Sequence, residues 1–168
     1  MHDAPADRKA GGRPRVDTID HPTGPHDVVL RTETSRNFWG GGYTNAAAFT
    51  LYGDGRLVDG DGSARQLTEV EVQRLLNDAH RVGLLGGVEF GNALVTDQGT
   101  TTVEIHAGVE RPRRSTPEET PLAASTSGAG GVNRTLDIYA LELVDGDHGL
   151  LRDQRHARRA LRAFLHGV

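Results

Sequence analysis

Residues 100–107 have the sequence TTTVEIHA, and the alternation of side chains in this stretch decides the fold class. Side chains two apart on a strand share a face. The more apolar face carries Thr101, Val103 and Ile105. The polar face carries Thr102, Glu104 and His106. Such alternation is typical of a strand in an antiparallel sheet that is covered on one side only.

Residues 134–143 alternate in the same way, with Leu136 and Ile138 on one face and Asp137 and Tyr139 on the other. Between these two predicted strands lie residues 108–133, in which Gly, Pro, Ser and Thr dominate. That composition is typical of a flexible linker. The pattern therefore predicts an antiparallel hairpin with a long flexible loop at residues 108–133.

Three shorter strands are predicted further towards the N-terminus. Residues 27–33 form a β-branched run, and residues 46–52 and 56–58 surround Gly53-Asp54-Gly55. Asp-Gly supplies the positive φ values that a tight hairpin requires. The sequence thus predicts a hairpin whose turn lies at residues 53–55.

A helix is predicted over residues 68–82, between the two groups of strands. Thr68 and Glu71 have the spacing of a capping box, and Gly83 stands where a C-terminal stop is expected. The apolar stripe at helical spacing consists of Val72, Leu75, Leu76, Ala79 and Val82. A second amphipathic helix is predicted near the C-terminus, where an apolar stripe includes Leu161 and Leu165.

The order of these elements is strand, strand, strand, helix, strand, strand, helix. Hairpins without parallel crossovers indicate an α+β fold. We expect an antiparallel sheet of about five strands, with two helices packed on one face.

The seven prolines fall into two windows, one before residue 26 and one at residues 112–121. Residues 1–26 are nearly free of large apolar side chains, so they are predicted to form a disordered N-terminal tail. Residues 27–168 are predicted to form a single domain. The first 26 residues contain no apolar run of the length that a signal peptide requires. No stretch of the sequence has the apolar length of a membrane span.

Composition excludes several classes of function. The chain has no cysteine, which rules out disulfides, thiol catalysis and cysteine-ligated zinc. Its 19 basic and 23 acidic residues leave a formal charge of −4, so a general nucleic-acid binder is not expected. No motif has the ligand spacing of a known metal-binding loop, and none points to a particular cofactor.

Several segments resemble a family of uncharacterised actinobacterial lipoproteins. The segments are FTLYGDGRLV (49–58), LTEVEVQRLLNDAHRVGLL (67–85), VTDQGTTTVEIHAG (95–108), TLDIYAL (135–141) and RHARRALRAFL (155–165). The resemblance implies a small extracytoplasmic α+β domain, tethered through a lipidated cysteine, with no established activity. The chain departs from this pattern in having no cysteine and a long loop in place of the last tight hairpin.

The segment NFWGGGY at residues 37–43 is the first candidate binding site. Phe38, Trp39 and Tyr43 are three of the eight aromatic residues in the chain, and they surround three consecutive glycines. Tryptophan and tyrosine are favoured anchors at interfaces. The same aromatics also fit a simpler role, in which they fold down over the sheet as part of the core.

Asp97, Glu104, His106 and Tyr139 are the candidates for acid–base or metal chemistry. Glu104 and His106 share a strand face, Asp97 precedes that strand, and Tyr139 lies on the neighbouring one. A carboxylate beside an imidazole is what general acid–base catalysis requires. The polar face of an ordinary half-solvated strand carries the same residues, and this simpler interpretation is favoured.

The C-terminal helix carries a stripe of arginines, of which Arg155 and Arg159 are the candidate binding residues. Arg158 and Arg162 extend the stripe. Such a stripe can bind a phosphate or an acidic partner. It also fits a solvated face that is neutralised by nearby acidic residues and placed late in the helix, where arginines suit the helix dipole.

Three hypotheses about function follow. The first is a non-catalytic binding or interaction domain, in the cell envelope if the family resemblance holds, with an unidentified protein or small molecule as its ligand. The second is a small enzyme that uses the polar sheet face. The third is a domain that binds an acidic partner or nucleic acid through the arginine-rich helix.

Overall fold

The computed structural model describes residues 18–35, 48–96, 98–108, 132–143, 146 and 148–168. These contain six strands and two helices. The strands are β1 Val28–Ser35, β2 Phe49–Tyr52, β3 Arg56–Asp59, β4 Ala64–Gln66, β5 Thr100–Ala107 and β6 Val132–Tyr139. The helices are α1 Glu69–Arg81 and α2 Arg152–Gly167.

The six strands form one antiparallel sheet with the order β4-β3-β2-β1-β5-β6. The two helices lie on one side of it, because the buried residues of both belong to the same apolar cluster as the inward residues of the strands. The predicted α+β fold is therefore confirmed. The other side of the sheet faces outward, and we call it the open face.

The predicted pairing of the last two strands is confirmed, and the structure supplies their register. Glu104 lies opposite Thr135, His106 opposite Asn133, and Thr102 opposite Asp137. All of these side chains are on the open face. Strand β6 ends earlier than predicted, because Ala140 has a φ of 54° and turns the chain away. Its N–H donates to the Gly99 carbonyl at 2.8 Å.

Both ends of α1 form as the sequence predicts. The Thr68 hydroxyl accepts from the Glu71 N–H, and the Thr68 N–H donates to the Glu71 carboxylate at 2.8 Å. At the other end Gly83 has a φ of 89°. The Leu84 N–H donates to the Ala79 carbonyl and the Gly83 N–H to the His80 carbonyl, which together make a Schellman motif.

The segment before β1 is part of the packed structure. Ile19 is 1% exposed and lies in the core, and Asp20 forms an isolated β-bridge with Gly108. The side chain of Gln73 bonds both the N–H and the carbonyl of Ile19, at 2.8 and 2.9 Å. The packed part of the chain thus begins before residue 27, earlier than the sequence indicated. The predictions for residues 1–17 and 109–131 lie outside the described residues.

The C-terminal helix begins at Arg152, after Leu151. The side chain of Gln154 accepts a hydrogen bond from the Leu151 N–H at 2.9 Å, which satisfies one amide at the start of the helix. Leu161 and Leu165 are buried against the sheet. Neither helix in the described part of the chain is long and apolar enough to cross a membrane.

Candidate functional site

Four of the candidate residues lie outside the described part of the chain. They are Phe38, Trp39, Tyr43 and Asp97. The proposed roles of the aromatic segment and of Asp97 therefore stay predictions.

Glu104 and His106 meet on the open face of the sheet, as their spacing predicts. The Nε2 atom of His106 is 2.7 Å from Oε1 of Glu104, and its Nδ1 atom is 3.1 Å from Oδ1 of Asn133. Both ring nitrogens are thus engaged by neighbouring oxygens. Arg31 lies opposite Glu104 on β1 and pairs with Glu33, so the face continues as a surface of paired charges.

Tyr139 does not join this pair. It lies opposite Thr100, four residues along β5 from Glu104. Its hydroxyl oxygen accepts a hydrogen bond from the Gln98 N–H at 3.0 Å. Asp137, between the two positions, accepts from the Thr102 hydroxyl at 2.7 Å. The described residues contain no group of three or more His, Asp or Glu side chains arranged to hold a metal ion.

The arginines of α2 do not form one solvated stripe. Arg158 is 1% exposed, and its guanidinium donates to the carbonyls of Phe90 and Gly91, each at 3.1 Å, and to that of Tyr139. Burial lowers the pKa of Arg158. Arg162 pairs with Glu142 at 2.8 Å. The interpretation of Arg158 as a surface residue is wrong, since it points inward beside Leu161.

The remaining arginines lie in the first half of α2, not late in the helix as the sequence analysis assumed. Arg152 is the first helical residue, and Arg155 follows within the first turn. Positive charges there oppose the helix dipole instead of complementing it. The favourable dipole argument therefore fails for these two residues.

These arginines line a groove of about 570 Å³. Its lining residues are Gly146, Arg152, Arg155, His156 and Arg159. We call it the basic groove. The Nη1 atom of Arg155 donates to the Leu150 carbonyl at 3.3 Å, which fixes one side of its guanidinium. The sequence analysis chose Arg155 and Arg159 as binding residues but not Arg152 and His156. The available signal was that Arg152 lies three residues before Arg155 and His156 three residues before Arg159, a spacing that places each pair on one side of a helix.

A second groove, of about 540 Å³, runs along the other side of the same helical segment. Val82, Val88, Leu151, Ala157 and Ala160 supply its apolar lining, and His156 borders both grooves. The first half of α2 thus separates a basic surface from an apolar one.

In comparisons with known proteins, no protein-family model, no curated protein and no solved structure matches this chain.

Proposed function

We propose that this chain is a non-catalytic binding domain, and that it binds an acidic partner in the basic groove. The observation that carries the proposal is the convergence of Arg152, Arg155 and Arg159 with His156 on one groove. Guanidinium groups are suited to carboxylates and phosphates, because their planar N–H donors match two oxygens at once.

The position of the charges favours the same conclusion. Arg152 and Arg155 stand at the positive end of α2, where each cation costs the helix about 0.3–1 kcal/mol. An acidic ligand bound beside Arg152 and Arg155 would offset this unfavourable interaction with the helix dipole, and its binding would be favoured to that extent.

The open face supports an enzyme less well. A general base has to reach a substrate proton, but both ring nitrogens of His106 already contact oxygen atoms, of Glu104 and of Asn133. Tyr139 is held by Gln98 at a separate position. Each of these side chains is thus hydrogen-bonded within the protein, as expected for the exposed side of a half-covered sheet.

Fluorescence anisotropy with a labelled hexaglutamate peptide tests the proposal on the full chain. The peptide should bind, and added salt should weaken binding because the contacts are between exposed charges. The double variant Arg155→Gln/Arg159→Gln should raise the dissociation constant about tenfold.

The matched control is Arg31→Gln/Arg74→Gln, which removes the same charge far from the groove and should bind like the wild type. The proposal fails if the groove variant binds the peptide normally, or if the control loses as much affinity. An oligothymidylate of equal charge is the comparison ligand. Binding of that ligand alone would assign the groove to nucleic acid instead.

A further inference from the structure

Strand β6 forms one edge of the described sheet, beside β5. It is eight residues long, whereas β4 at the opposite edge has three. Long edge strands present a row of backbone donors and acceptors that can pair with another strand. The β6 edge is therefore the place in the sheet where a further strand fits.

The register of β6 identifies which of its backbone groups point outward. The Ala140 N–H donates to the Gly99 carbonyl, so this position bonds towards β5. In an antiparallel pair, bonded and non-bonded positions alternate. Asn133, Thr135 and Asp137 therefore turn their N–H and carbonyl groups away from β5. Tyr139 is the next residue in this outward-pointing series. Its carbonyl accepts a hydrogen bond from Arg158 of α2 and not from β5, which agrees with this assignment.

We propose that two copies of this chain join through antiparallel pairing of their β6 strands. Centred on Thr135, the pairing sets Thr135 against the partner's Thr135 and Asn133 against the partner's Asp137. All three outward residues then form bonded pairs, which gives about six backbone hydrogen bonds across a two-fold axis.

The side chains make this register self-complementary. The Asn133 amide can donate to the carboxylate of the partner's Asp137, and the contact occurs twice because of the symmetry. A register centred on Asp137 would instead place two carboxylates face to face, which destabilises a strand pair. Pairing also cannot extend to Tyr139, since Arg158 already occupies its carbonyl.

The inward side of the strand is compatible with the same register. Arg134 would lie opposite the partner's Leu136, and both residues are half-buried. The aliphatic stem of an arginine can cover apolar surface while its head stays polar. Here the head of Arg134 already lies near the Gly83 carbonyl. The two helical layers would then lie on the same side of one continuous sheet.

Analytical ultracentrifugation of the full chain, over roughly two decades of protein concentration, tests this proposal. The wild type should show a monomer–dimer equilibrium. Asn133→Asp sets two pairs of carboxylates against each other and should raise the dimer dissociation constant about tenfold. Asn133→Asp/Asp137→Asn restores one amide and one carboxylate in each pair, and should recover the wild-type constant.

These substitutions at positions 133 and 137 should leave the fold intact. Each new side chain keeps the side-chain oxygen that now bonds His106 (at position 133) or Thr102 (at position 137). Circular dichroism on each variant verifies this, and Thr135→Lys provides a second disrupting variant at the two-fold axis. A wild type that is monomeric at every concentration overturns the proposal and leaves the edge to another segment or partner. A dimer that Asn133→Asp and Thr135→Lys do not weaken, or that the double variant does not restore, also overturns it.

Discussion

Arg158 is a buried guanidinium whose identified partners are carbonyl oxygens. These belong to Phe90, Gly91 and Tyr139, so one side chain of α2 ties together a loop and the end of β6. Its Nε atom has no hydrogen-bond partner among the described residues. Burial disfavours the charged form and lowers the pKa of Arg158, although the carbonyl dipoles offset part of that cost.

Replacing Arg158 by methionine should lower the free energy of unfolding by about 2–4 kcal/mol, because three carbonyls lose a charged donor at once. The free energy of unfolding of Arg158→Lys should lie between those of Arg158→Met and the wild type, since an ammonium on a single stem cannot reach all three carbonyls. Urea denaturation measures both. Arg74→Met is the exposed control, on helix α1, and should stay within about 0.5 kcal/mol of the wild type. A fully stable Arg158→Met would contradict the structural role assigned to the guanidinium.

At the scale of elements, the start of α1 is held by ionised carboxylates. The Thr68 backbone N–H, followed by the Thr68 hydroxyl, lowers the pKa of Glu71. The pKa of Glu69 is lowered first by the Gln73 side chain and then by His21. Negative charge in the first turn also suits the helix dipole. Each carboxylate is therefore more acidic in the folded chain than in the unfolded one.

This gives a sign to the pH dependence of stability. A carboxyl with a lowered folded-state pKa contributes stability above its ordinary value of 4.5, and loses that contribution as pH falls through the folded-state value. Glu71→Gln keeps an oxygen for the capping box but cannot titrate. Its free energy of unfolding should therefore fall less steeply on acidification than that of the wild type. Urea titrations at several pH values measure the slope, with Glu89→Gln as the control, and equal slopes for Glu71→Gln and wild type would refute the assignment.

The elements that sequence could predict are those with their own local signal. The helix α1 carries a capping box, a stripe and a glycine stop, and β5 alternates throughout. By contrast, β4 has three exposed residues without any alternation, and it forms because the turn at Asp59–Ser63 returns the chain to β3. Strand β4 therefore forms only because β3 lies beside it, and no pattern within residues 64–66 could have predicted it.

The same distinction holds for the candidate site residues, since local patterns predicted which residues share a face but not how the strands are aligned. A period of two was enough to place Glu104 and His106 on one face. It could not supply the register of β5 against β6, which separates Tyr139 from them. A helical stripe likewise could not say which arginine points inward, although Arg158 stands three residues before Leu161 on the buried side.

At the scale of the whole molecule, the segment at residues 18–20 joins parts that are far apart in sequence. Ile19 packs in the core beneath the sheet, and Gln73 of α1 bonds its backbone on both sides. Asp20 pairs with Gly108 at the end of β5 through two backbone hydrogen bonds of 2.9 and 3.0 Å. This segment therefore links α1 to the sheet and should unfold together with both.

Ile19→Ala tests that cooperativity. Removing a fully buried isoleucine side chain should lower the free energy of unfolding by about 2–4 kcal/mol, because the apolar contacts are lost and the surrounding residues close the cavity only in part. The transition in urea, followed by circular dichroism, should remain single with an unchanged slope, since the whole core unfolds at once. Val70→Ala is the control, because Val70 is 67% exposed on α1 and should change stability by less than about 0.5 kcal/mol. An Ile19→Ala variant as stable as the wild type would mean that residues 18–20 detach without affecting the core, and the domain would then begin at β1.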